Sequence, residues 1–168
     1  MPSTSWHGHL HGYGWVGSAA EYFKESTRRP GAGNDSHTQM FLSSKLPPMM
    51  TGHWLMRRAQ TRAECTWTDA SEAVDWLKQR YVENPPIVRP DGGRAYVDVD
   101  ARIVYALDVL PRGVDVTWGY WTNPSTLASH SVVACANRFH PHIPCPLEPS
   151  MTRSPDVAQF AAAPGGGN

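Results

Sequence analysis

Every odd position from Ala95 to Val109 is apolar or aromatic, while the even positions include Tyr96, Asp98, Asp100, Arg102 and Asp108. A period of two places all the apolar side chains of an extended chain on one face, so this run predicts a half-buried strand. Pro111, Arg112 and Gly113 interrupt it, and Val114, Val116, Trp118 and Tyr120 resume the phase. The pattern predicts a hairpin closed by a short Gly-containing loop. An unbroken strand from Ala95 to Val109 would extend about 50 Å at ~3.3 Å per residue, so a bend near Asp100 is expected.

The flanking segments carry weaker periods. Ala59, Thr61, Ala63, Cys65 and Trp67 alternate with Gln60, Arg62, Glu64 and Thr66, which predicts a strand with Cys65 turned into the core. From Asp69 the period changes. Asp69 and Glu72 have the spacing of a helix-capping pair, and Ala70, Ala73, Val74, Leu77 and Tyr81 follow at helical offsets until Pro85 and Pro86. A helix from Asp69 to Val82 is expected. His130 to Ala136 again has strand character. Short connections between these elements favour an α+β fold: a small antiparallel β-sheet of about four or five strands, one main helix packed on one face, and irregular N- and C-terminal arms.

The 15 prolines and 14 glycines fall mainly outside the periodic middle of the chain. Residues 1–48 read as an irregular, flexible leader in which Trp6, His7, His9, Leu10, His11, Tyr13 and Trp15 are interleaved with glycine. Residues 49–136, opening at Met49 and Met50, read as the globular domain. Residues 137–168 read as an extended tail punctuated by Pro141, Pro144, Pro146 and Pro149, with a disordered Ala/Gly end.

Charge excludes one class of partner. The 15 basic and 15 acidic residues balance, which removes the electrostatic footprint of a chain that neutralises many phosphates, so nucleic acid is not expected as the main partner. Arg dominates Lys (the lysines are Lys24, Lys45 and Lys78), a bias typical of GC-rich coding. No apolar run is long enough to span a bilayer, and no basic stretch followed by an apolar core marks a secretory signal. Three cysteines make no disulfide framework. A cytoplasmic location follows as the expectation.

Two sets of residues are candidates for function. Cys135, His140, His142 and Cys145 are four zinc-compatible ligands within eleven residues, although their spacing lacks the tight knuckle of a structural zinc site. His7, His9 and His11 alternate in the leader and could hold a metal ion only weakly without supporting groups. The second set is a partner surface. Asp98 and Asp100 lie on the polar side of the expected strand, Asp115 across the turn, and Trp121 on the outward face beside Asn123 and Pro124. No catalytic residue is assigned. Ser129, His130 and Ser131 are sequence neighbours that a strand would point to opposite faces, and no phosphate loop or nucleophile elbow is present.

These observations favour a non-enzymatic accessory or protein-binding module, of the single-sheet build seen in immunity proteins and products of mobile elements. A small zinc-binding structural module built on the Cys/His cluster is the alternative. A small hydrolase or transferase is the third reading, without a motif to support it.

Overall fold

The computed structural model describes residues 5–93 and 98–147. One four-stranded antiparallel sheet runs in the order β2-β1-β4-β3, where β1 is His9–Ser18, β2 Thr66–Trp67, β3 Val116–Asn123 and β4 Thr126–Cys135. Four α-helices accompany it: α1 Ala19–Tyr22, α2 Ser36–Ser43, α3 Ala70–Glu83 and α4 Val99–Val109. The α+β class with an antiparallel sheet and a main helix on one face is as expected. No helix among the described residues is long and apolar enough to cross a membrane.

The helix α3 forms where the pattern placed it. Asp69 is its N-cap, accepting the Ser71 N–H at 2.8 Å, and Ala73, Val74 and Leu77 are its buried residues. The second half of the expected hairpin also holds its phase. Val116, Trp118 and Tyr120 are buried while Thr117, Gly119 and Trp121 face outward. Its partner, however, is β4, paired from Val116↔Val132 to Asn123↔Thr126 across a turn in which Asn123 Oδ1 accepts the Ser125 N–H.

Residues 99–109 are helix where strand was expected, and Ala95 and Val97 lie outside the described residues. The reason is in the even positions. Val104 and Ala106 are apolar too, so Val99, Ile103, Ala106 and Leu110 also form a stripe at helical spacing, and that stripe packs into the core. Asp98 caps the helix by accepting the Ala101 N–H at 3.1 Å. The break at Pro111–Gly113 then ends a helix and does not turn a hairpin. Gly113 has φ of 73°, and a Cβ there would lie 2.7 Å from the Trp6 ring.

Residues 59–65 are likewise not a strand. They form short 3-10 turns over Arg58–Gln60 and Ala63–Cys65, and only Thr66–Trp67 joins the sheet. The inner face that alternation would have buried over residues 59–65 was Ala59, Thr61, Ala63 and Cys65, too little apolar surface to hold an extended segment against the core. Cys65 is half-buried, not enclosed.

The largest departure is at the N-terminus. His9–Ser18, expected to be irregular, is a ten-residue strand in the interior of the sheet, paired with β4 from His9↔Cys135 to Ser18↔Thr126. Residues 137–147, expected to be extended, are a succession of turns folded back onto the sheet, and residues 148–168 lie outside the described residues.

Apolar clusters pack on both faces of the sheet. One carries the main core, in which Leu10, Ala128, Val132, Ala134, Trp118 and Tyr120 meet α3 and α4. The other carries a smaller cluster of Tyr13, Val133 and Cys135 with Trp54 and Leu55, against which Ile143 and Cys145 pack.

Candidate metal centre

On the second face, four potential ligands converge. His9 and His11 are two residues apart on β1, so a strand points them the same way. Cys135 is the cross-strand partner of His9 at the end of β4. Cys145 arrives from the turns that follow. Their ligand atoms all lie within 4.8 Å of one another. His9 Nε2 is 3.0 Å from His11 Nε2 and 3.2 Å from Cys145 Sγ, and His11 Nε2 is 3.6 Å from that sulfur. A group of this kind could hold a metal ion.

The path that returns Cys145 is built by Asn137. Its Nδ2 donates to both carboxylate oxygens of Asp115 at 3.0 Å and to the Ala134 carbonyl at 3.2 Å. Its Oδ1 accepts the N–H groups of Phe139 and His140 at 3.0 and 3.2 Å. Asp115 Oδ1 also accepts the Ala134 N–H at 2.8 Å, so one carboxylate ties the start of β3 to the end of β4 and to the turn. Burial pushes the Asp115 carboxyl up, opposed by these hydrogen bonds. The His140 ring then seats over Gly52, where a Cβ would come within 2.2 Å of its Cδ2, and lies 4.7 Å from the His53 ring.

Hydrogen bonding sets the protonation of His11. Thr66 Oγ1 donates its single proton to the Arg62 carbonyl at 2.9 Å, so toward His11 Nδ1, also at 2.9 Å, it can only accept. The His11 proton therefore sits on Nδ1, and Nε2 presents its lone pair to the cluster. Burial, followed by the neighbouring His9, lowers the His11 pKa to about 4, which keeps the ring neutral at physiological pH. A neutral imidazole oriented through its other nitrogen is the state a metal requires.

The surroundings are mainly apolar. Tyr13 stacks on Trp54 at 4.8 Å between ring centroids and shares a 2.7 Å hydrogen bond with Thr61. Val133, Leu55 and Ile143 complete an apolar wall. Burial pushes the Tyr13 phenol up, away from ionisation.

Two of the four sequence-predicted ligands, Cys135 and Cys145, thus meet in space. The histidines that join them are His9 and His11, not His140 and His142: His140 is buried against His53 and His142 is exposed. The alternation of His9 and His11 was the legible signal, because i and i+2 share a face only in a strand; glycine at 12 and 14 obscured the strand itself. Of the residues expected to form a partner surface, Asp115 and Trp121 stand at opposite ends of β3. Asp98 and Asp100 are exposed at the start of α4, and Asp115 is half-buried in the Asn137 network. Trp121 is at the far end of β3, 37% exposed and 6.2 Å from the Phe23 ring.

Comparison with protein-family models, with curated proteins and with solved structures finds no match for this chain. The functional reading therefore rests on the geometry.

Proposed function

We propose that the chain is a non-enzymatic binding module held together by a structural zinc ion on His9, His11, Cys135 and Cys145. The observation that carries this reading is the relay from the Arg62 carbonyl through Thr66 to His11, which prepares Nε2 as a ligand beside a second imidazole and two thiols. Zinc suits this donor set. With bonds of ~2.0 Å to nitrogen and ~2.3 Å to sulfur, a tetrahedral ion separates two nitrogens by about 3.3 Å and a nitrogen from a sulfur by about 3.5 Å. The observed 3.0, 3.2 and 3.6 Å need only small adjustment to reach those values. Four protein ligands fill the coordination sphere and leave no position for substrate or water, the arrangement of a structural site.

Such an ion would bridge His9 and Cys145, 136 residues apart in sequence. In the chain-entropy description, closing so long a loop is worth roughly 5 kcal/mol. Untagged protein is expected to carry about one zinc per chain by elemental analysis. The double change Cys135→Ser and Cys145→Ser should abolish it and lower the Tm by about 10 °C or more, given ~2–4 °C per kcal/mol for a chain of this size. Metal-free wild-type protein of undiminished stability would refute the proposal.

A further inference from the structure

We infer that the free edge of β1 is a binding groove for an extended, acidic peptide, which would add to the sheet as a fifth strand. The inference rests on the binding-module reading above but not on the zinc.

β2 pairs with β1 only at Leu10 and His11. Beyond them β1 is hydrogen-bonded on one side, to β4, and no other backbone hydrogen bond among the described residues reaches Gly12–Val16. Open edges are usually blunted by charge, proline or a covering element. This one carries no charge and no proline, and it lines a cavity of about 680 Å³ along all five residues from Gly12 to Val16. Trp76, Arg80 and Asn84 wall the groove on the helix side at successive turns of α3 and its C-cap, and Trp54, Gln60 and Arg62 belong to the opposite wall. The two dimensions agree. Five strand residues span about 13 Å, and Trp76 to Asn84 spans about 12 Å of helix. A groove of that length beside unpaired backbone groups matches four or five residues of added strand, the mode in which main-chain hydrogen bonds give affinity and side-chain pockets give selectivity.

The charge of the occupant follows from the lining. Lys45, Arg62 and Arg80 line the cavity, and among the described residues no carboxylate does. Glu64 and Glu83 pair with Arg62 and Arg80 at 3.8 and 2.9 Å, which leaves Lys45 as the lining cation without an ion pair among the described residues, and there the buried Arg80 Nε has no hydrogen-bond partner. Beneath Trp76 lies His130, 1% exposed, with both ring nitrogens unpartnered among the described residues. A buried polar group left unpaired costs stability, and a polar side chain of the peptide that reaches His130 from the cavity removes that cost.

The test is selection of a displayed library of random heptapeptides on the full-length protein, followed by synthesis of the enriched peptide. The expected winners alternate β-branched with Asp or Glu residues and lack a central proline. The bound peptide should slow amide hydrogen exchange at Tyr13–Val16, and Lys45→Glu, at an exposed position, should weaken it at least tenfold while zinc content and Tm are retained. No enrichment, enrichment of basic or proline-centred peptides, or binding that leaves the β1 amides unprotected would overturn the inference. Peptide capture by a metal-free protein would sink only the zinc proposal, and a zinc-loaded protein that captures none would sink only this one.

Discussion

Thr66 shows how much a set of candidate ligands can depend on a residue outside it. Its hydroxyl hydrogen is committed to the Arg62 carbonyl, and that commitment fixes which His11 nitrogen faces the cluster. Thr66→Val keeps the shape and removes the relay, so zinc affinity should fall roughly 10- to 100-fold in a chelator competition with little change in fold. Unchanged affinity would mean that His11 is oriented by packing alone. His130 illustrates the opposite condition, a buried imidazole without a hydrogen-bond partner among the described residues. Burial, then the charge of Arg80 from α3, lowers its pKa to about 4; Trp76, Tyr120 and Gly14 are the uncharged groups around it. The folded state thus favours the neutral ring. Its contribution is fully present above the unfolded value near 6.5 and is lost as pH falls toward 4. His130→Leu should flatten the fall in Tm between pH 7 and 5 relative to wild type; parallel profiles would show that His130 does not titrate there.

At the level of elements, β1 has the largest consequence, since it supplies both histidines, a middle strand of the sheet and the groove edge. Leu10, 1% exposed, packs in the main core, so Leu10→Ala should cost about 2–5 kcal/mol in denaturant unfolding. A change at a flexible leader position would cost close to nothing, which makes the measurement decisive for the strand. Why β1 was hard to read is physical. Gly12, Gly14 and Gly17 depress strand propensity and contribute no apolar side chain, and the strand is held by its ten-residue ladder to β4, a contact more than a hundred residues away in sequence. The helix α3 was legible because its cap, its stripe and its terminating prolines are all local. The helix α4 was misread because its residues satisfy both periods, and the choice between them is made by packing against α3 and the sheet. Of the candidate site, the two cysteines could be named from chemistry, but their histidine partners depend on strand pairing that spacing does not encode.

Taken whole, the molecule is a sheet clamped from two sides. The helices close one face with apolar surface, and on the other a small aromatic cluster surrounds four ligands contributed by the two ends of the described chain. That second core is small for the turns and loops it must hold, which is where a metal cross-link has most to contribute. The same strand would then serve both tasks, one end fixed by the ion and the other left open along the groove. X-ray absorption at the zinc edge of untagged protein tests the central claim most directly. The account predicts two nitrogen ligands at ~2.0 Å and two sulfur ligands at ~2.3 Å around about one zinc per chain. Zinc absent from the purified protein, or a shell of nitrogen and oxygen without sulfur, would contradict it.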